Sequence, residues 1–211
     1  MHHINFTNSP EIATMPQYFI IHKPFNVLSQ FTSQEGKRTL KDFFDLPGNV
    51  YPIGRLDYDS EGLLIITDDK QLNHQLLNPQ FSHEREYLAE VEGEITTQAI
   101  YELEQGVTIT IDGKWYKTKP CTAKKISRPA FVTERDPPVR FRKNIPTSWL
   151  KLVLTEGKNR QVRKMTAKAG FPTLRLIRYR ICSLTLEGLT PGEMCITSKA
   201  ALYPLLFDSG K

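Results

Sequence analysis

The chain has 211 residues, 39% of them hydrophobic and 24% charged, an ordinary globular composition with enough apolar residues for one large core or two small lobes. Its formal net charge of +5 hides an uneven spread: Lys114 to Arg180 holds 19 Lys+Arg against 3 Asp+Glu, a net of +16, while the remainder holds 9 against 20, a net of −11. A solubilising surface normally mixes both signs, so this field points to a polyanionic partner, most often nucleic acid. Cys121, Cys182 and Cys195 are odd in number and widely spaced, which excludes a disulfide framework or a cysteine metal site and fits free thiols in a reducing compartment. No apolar run reaches the length of a signal peptide or a membrane span, and the expectation is a soluble cytoplasmic protein.

Residues 1–17 read as a loose tail. "YFIIHKPFNVL" predicts a strand over Tyr18 to Ile21 that runs into a Lys23-Pro24 turn. "TLKDFFDLPG" has Leu40, Phe43 and Phe44 at helical spacing, with Thr39 as a cap and Pro47-Gly48 as the stop, and predicts a helix. "GRLDYDSEGLLIITDD" then supplies a polar turn followed by a continuous apolar strand, Leu63 to Thr67. "KQLNHQLLNP" predicts a short helix closed by Asn78-Pro79, and "REYLAEVEG" a half-buried strand ending at Gly93.

"TTQAIYELEQG" predicts a helix capped by Thr96 or Thr97, with Ile100 and Leu103 inward and Gly106 at its end. "VTITIDGKWYKTK" predicts a hairpin turning on Asp112-Gly113. Residues 126–147 carry four prolines and several arginines and read as a basic excursion; loops this long in a compact domain are usually functional or disordered. "WLKLVLTEG" is a strand, "KNRQVRKMTAKAG" a helix, and "FPTLRLIRYRIC", "SLTLEGL" and "EMCITS" are further strand material. Helices and strands without clean alternation predict an α+β protein built on a large, mostly antiparallel mixed sheet.

Three stretches could carry chemistry. From Asp57, steps of two meet Asp59 and Glu61, then Gly62, which resembles a calcium loop. Such a loop needs flanking helices and a glutamate at its twelfth place; here the flanks read as strand or turn and the twelfth residue is Asp68, so no metal is expected. The same residues also read as a carboxylate, Asp57, held ionised beside Arg55 at the lip of a core strand. On spacing alone, Asp57 and Asp59 are more simply turn-shaping residues. In the second stretch Lys158, Arg160, Arg163 and Lys164 open a helix, a natural anion site, unless they form a solvated basic face. In the third, Tyr87 beside Arg85 could stack on a splayed base, or be an ordinary core tyrosine.

In combination, "IIHKPFNVLSQ", "GRLDYDSEGLLIITDD", "REYLAEVEG" and "LTEGKNRQVRKMTAKAGFPTLRLIR" resemble, in order and spacing, the ribosomal RNA pseudouridine synthases of the RsuA type. "NVLSQFT" and "PPVRFRKNIPTSWLK" resemble the branch that acts on the large ribosomal subunit, the 23S RNA. The resemblance covers nearly everything from Tyr18 onward and implies the pseudouridine synthase fold, one catalytic domain over residues 18–211, and isomerisation of a uridine without cofactor or metal. Relatives commonly carry an N-terminal S4 module, for which there is no room before Tyr18. By motif, Asp57 is implied as the catalytic aspartate, Tyr87 as the ring that stacks on the uracil, and Arg163 as the cation that pairs with the aspartate. Arg85 stands where the family usually has lysine. Arg55, Lys23, Arg85, Lys158, Asn159, Arg160 and Gln161 are implied as contacts to the flipped-out nucleotide or its RNA, with Arg140, Arg142 and Lys143 of the excursion on phosphates. Ribosomal RNA is the expected partner and a monomer the expected state. Two alternatives share parts of the pattern: a non-catalytic RNA-binding or ribosome assembly factor, which has no need of Asp57, and a metal-dependent nuclease using Asp57, Asp59 and Asp68-Asp69.

Overall fold

A computed structural model describes residues 15–139 and 142–207. The first strand, β1 (Tyr18–Lys23), is buried along its whole length, because both its faces are covered, Tyr18 and Ile20 by one core and Phe19 and Ile21 by another. Short strands β2 (Val27–Leu28), β3 (Arg38–Thr39) and β4 (Tyr51–Pro52) lead to the seven-residue apolar strand β5 (Glu61–Thr67). Helix α1 (Lys70–Leu77) follows, its first turn closed by the Asp69 carboxylate accepting from Leu72 N, and then strand β6 (Arg85–Glu92). Helix α2 (Thr97–Glu104) is capped by Thr96, and the hairpin β7 (Thr108–Ile111) and β8 (Lys114–Lys117) turns on Asp112-Gly113, both with positive φ as that tight turn requires. Strands β9 (Thr122–Ile126) and β10 (Thr147–Leu154) bracket the excursion; helix α3 (Gln161–Lys168), strands β11 (Thr173–Ile181), β12 (Leu184–Thr185) and β13 (Met194–Thr197), and helix α4 (Lys199–Phe207) complete the described chain.

The main sheet runs β13-β1-β5-β11-β6-β10-β9, with β4 paired to β5 and β12 to β11. Every pairing in it is antiparallel except β5 with β11, a parallel seam of two registered pairs, Ile177 with Glu61 and Arg178 with Gly62. One face buries Tyr18, Ile20, Leu63, Ile65, Leu88, Trp149 and Ile177 under α1 and α4. Its other face carries two cores: Phe19, Ile21, Leu64 and Ile66 under the 27–50 segment, and Ala89, Val91, Leu150 and Leu152 under α2 and α3. The alternation of strand side chains produces both faces from one set of sequences, and the α+β expectation matches.

The helix predicted over "TLKDFFDLPG" is instead a single 3₁₀ turn, Leu40–Asp42. The Asp42 carboxylate accepts from Thr39 N and Thr39 Oγ1, which closes the turn. Leu40 and Phe44 then bury into the core beside β1, so burial explains their spacing and no further turn forms. Of the expected tail, residues 1–14 lie outside the described residues, while Gln17 is tied by Asp68 and Thr67. Among the described residues no helix is long and apolar enough to cross a membrane.

The excursion is partly packed. Val132 joins the core on the Leu88 face, Arg175 donates to Thr133 O at 2.7 Å, and the Arg135 guanidinium sits 3.8 Å over the Phe25 ring. Arg142 pairs with Glu92 at 2.8 Å, also on the Leu88 face by strand alternation.

A candidate active-site cleft

A cleft of about 670 Å³ opens on the Tyr87 side of the sheet, a volume suited to a nucleotide-sized ligand. The polar turn between β4 and β5 forms one wall, with Arg55 exposed and Asp57 half-buried; Ser60 N donates to Asp57 O at 3.0 Å and closes the turn. Tyr87 and Arg85, from β6, form the floor. Lys158, Asn159, Arg160 and Gln161, leading into α3, form the opposite wall. Carboxylate, aromatic ring and cations are thus gathered from segments about 30 and 100 residues apart in sequence.

The acidic turn is heavily braced. Both Arg160 Nη atoms donate to the Asp59 carboxylate at 2.8 Å, a two-pronged geometry that fixes orientation as well as charge. Arg160 reaches it from a left-handed backbone, φ 54°, a conformation uncommon for a residue other than glycine and one that recurs at functional sites. Burial alone would push the Asp59 carboxyl up, but the hydrogen bonds from Arg160 and the charge of Arg163 hold it below the usual carboxylate range.

The resemblance pairs Arg163 with Asp57; the structure departs from this. Arg163 donates to the backbone oxygens of Asp59 and Thr173, and its Nε lies 3.5 Å from Asp59 Oδ2. Asp57 Oδ2 instead meets Arg160 Nη1 at 3.6 Å. The turn closed at Ser60 directs Asp59 toward α3, so Asp59 takes the grip expected at Asp57. The alternating acids also separate by face: Glu61, the first residue of β5, is buried and accepts two hydrogen bonds from Arg175, at 2.8 and 2.9 Å. With Glu61 so engaged the calcium-like spacing cannot act as one ligand set, and among the described residues no three His, Cys, Asp or Glu are gathered for a metal.

Two more residues expected at the RNA are engaged elsewhere. Lys23 is fully buried at the end of β1, and its Nζ donates to Pro24 O and Val27 O. Burial pushes its pKa down to about 7, against the opposing pull of Glu61, Asp59 and Asp57, so it is an internal amine behind the acidic turn and makes no surface contact. Gln161 is buried as well: its Nε2 donates to Glu156 at 2.6 Å and its Oε1 accepts from Lys158 N, which uses both ends of the amide to shape the wall. Lys158 lies 5.0 Å over the Tyr116 ring. Arg85 donates to Leu76 O and His83 O, anchoring the end of α1 to the cleft floor. Arg142 and Lys143 are exposed and do not line the cleft, and Arg140 lies outside the described residues.

Sequence reasoning missed Arg178, in β11. It is buried, lines the cleft, and sits directly across from Tyr87 in the β6–β11 register. Strand alternation in "LRLIRYRIC" would have found it, since Leu176 and Arg178 share a face.

The family described as RNA pseudouridylate synthase matches residues 17–168. A relative from Xanthomonas campestris pv. campestris, named ribosomal large subunit pseudouridine synthase E, is 44% identical over 88% of this chain and 97% of its own length. The chain belongs to the RNA pseudouridine synthase family. A protein of the same name from Vibrio vulnificus is 47% identical over 82% of this chain and 72% of its own. Among solved structures, one titled "Crystal structure of pseudouridylate synthase" superposes with a TM-score of 0.71 at 26% identity, covering 90% of this chain and 74% of that one. The expected fold is therefore the observed one: a pseudouridine synthase sheet with its cleft on one face.

Proposed function

We propose that this pseudouridine synthase acts on a single uridine of large-subunit ribosomal RNA, flipped out of its stack into the cleft, with Asp57 at the sugar and Tyr87 stacked on the base. One observation carries the reading: a half-buried carboxylate, an aromatic ring and several cations line one nucleotide-sized cleft. The names of the relatives, ribosomal large subunit pseudouridine synthase E, support the substrate. Residues 18–211 act as one catalytic domain, working as a monomer in the cytoplasm; the ribosomal RNA named for the relatives supports that compartment.

Isomerisation breaks the bond from uracil N1 to the sugar, turns the base, and joins C5 to the same sugar carbon. C5 loses a proton and N1 gains one, so no oxidant, reductant or net proton is required. The chain must supply an ionised carboxylate at the sugar, a surface along which the base can turn, and cations for the backbone. Extrusion of the base costs a few kcal/mol, which stacking on Tyr87 and phosphate contacts to Arg55, Lys158 and Asn159 offset. Arg160 and Arg163 act indirectly, by fixing the turn that presents Asp57.

The test is to map pseudouridines in ribosomal RNA from cells lacking the protein and complemented with either the native chain or Asp57→Asn. One large-subunit position should regain pseudouridine with the native chain alone. Equal restoration by Asp57→Asn would leave a non-catalytic RNA-binding role as the better reading.

A further inference from the structure

Arg178 is a cation that the proposed function leaves without a task. Its backbone is fixed by a close approach: a Cβ added at Gly62 would lie 2.3 Å from Arg178 O and 2.6 Å from Arg178 N. Gly62 also has φ +116°, so glycine is demanded twice over. The side chain is fixed next, as Nε donates to Leu63 O at 2.8 Å. After these restraints Nη2 is left over. It is buried and, among the described residues, has no hydrogen-bond partner in bonding geometry.

An unmade hydrogen bond on a buried charged donor is costly, and native proteins keep such a group where something is to fill it. Residues directly opposite on antiparallel strands point to the same face with Cβ atoms about 4.5–5.5 Å apart, and here the opposite residue is Tyr87. Both side chains line the cleft. Burial pushes the Arg178 guanidinium down from its ordinary range; Tyr87, close enough to act as a loose hydrogen-bond partner already, works against that shift, and the charge of Arg85 works with it. A guanidinium only donates, and a phenolic oxygen can accept.

We propose that Arg178 is a positioning residue for Tyr87: its spare Nη2–H closes on the phenolic oxygen when a uridine occupies the cleft and holds that oxygen over C5 of the turned base. This rests on the proposed placement of Tyr87 at the base and assigns the oxygen a task beyond stacking. Once C5 is joined to the sugar carbon, the C5–H bond breaks and its electron pair restores the C5=C6 double bond. The phenolic O–H proton passes to N1, directly or through solvent; the oxygen, left negative and held by the guanidinium, then takes up the C5 proton. Arg178 touches no atom of the uridine. It acts through Tyr87.

The experiment is a mutant cycle in single-turnover pseudouridine formation on a ribosomal RNA fragment, with ordinary or C5-deuterated uridine at the target. Arg178→Met should slow product formation about tenfold or more, the worth of one charge-assisted hydrogen bond, while RNA affinity stays within about twofold. It should also raise the deuterium effect, because breaking C5–H then limits the rate. Arg178→Lys should recover part of the loss. In a Tyr87→Phe background, which keeps the ring but has no oxygen to hold, Arg178→Met should cost nothing further. A loss of equal size in both backgrounds, or no loss in either, overturns the role of Arg178 and leaves it as a tether between strands; the proposed function survives both results. If Tyr87→Phe itself matches the native chain in rate and deuterium effect, the phenolic oxygen has no task and the inference falls. Should Arg178→Met fail to fold, Arg178→Lys carries the same cycle.

Discussion

The turn at residues 54–61 and the excursion at residues 126–147 both carry charges that stand out in the sequence, yet they are built in opposite ways. In the turn each acid has a cation brought from about a hundred residues away: Asp59 has Arg160 and Arg163, and Glu61 has Arg175. The excursion is fastened at a few points, Val132, Thr133 and Arg135, and its exposed Arg142 pairs with a neighbouring strand. A carboxylate that must meet a sugar carbon needs its position fixed before the substrate arrives, whereas cations that grip a backbone can adjust to it.

The largest expected effect separates the regions outright. Asp57→Asn should slow pseudouridine formation about a thousandfold or more, with RNA affinity nearly unchanged, because a carboxylate at the reacting centre is removed and the excursion is untouched. A residual rate within tenfold of native would remove Asp57 from the chemistry.

Stability should divide the two regions as well. The side chains of Glu61 and Arg175 are only 2% and 3% exposed, so Glu61→Gln strands a buried cation and should cost about 3–5 kcal/mol in denaturant unfolding. The Glu92 and Arg142 side chains are 24% and 48% exposed, and Glu92→Gln should cost about 1 kcal/mol or less. Similar losses from the two variants would erase the contrast drawn between the two regions.

A subtler effect concerns Lys23, whose pKa is pushed down to about 7 by burial, with Glu61, Asp59 and Asp57 pulling the other way. Between pH 7 and the unfolded value near 10.4 the unfolded chain binds a proton that the folded chain does not, so this group's contribution rises with pH across that window and is least favourable below it. The stability difference between the native chain and Lys23→Met should therefore grow in favour of the native chain from pH 7 to pH 10. A flat difference would mean that Lys23 holds its proton throughout.

The smallest effect belongs to the excursion. Replacing Arg142 and Lys143 together with alanine should leave the single-turnover rate intact and reduce the salt dependence of RNA binding by about 0.7–0.9 for each phosphate left without its cation. An unchanged slope would confine the RNA to the cleft side of the sheet.

Local signals in the sequence carried much of the fold. Alternation marked β6, the Asp112-Gly113 pair marked its hairpin, and an apolar run marked β5. The failures share a cause. Leu40, Phe43 and Phe44 have helical spacing because the sheet wants apolar residues there, and spacing alone does not distinguish that from a helix. Asp57, Asp59 and Glu61 look interchangeable along the chain, but which cation each one meets is decided by β11 and α3, and nothing local records it. Lys23 reads as a turn lysine until β5 and β13 close over both sides of β1. The candidate site was legible as motifs, and its wiring was legible only in three dimensions.

The parallel seam has a mechanical consequence. The strand that follows Asp57 lies on one side of it, and the strand that bears Tyr87 lies on the other. Two registered pairs, the close approach at Gly62 and the tether to Leu63 O hold the sides in alignment. The seam therefore works as a gauge block that sets the spacing between carboxylate and ring. On warming, a slight opening there would throw the two out of alignment while both outer cores stay closed, so activity should fade some degrees before the chain melts.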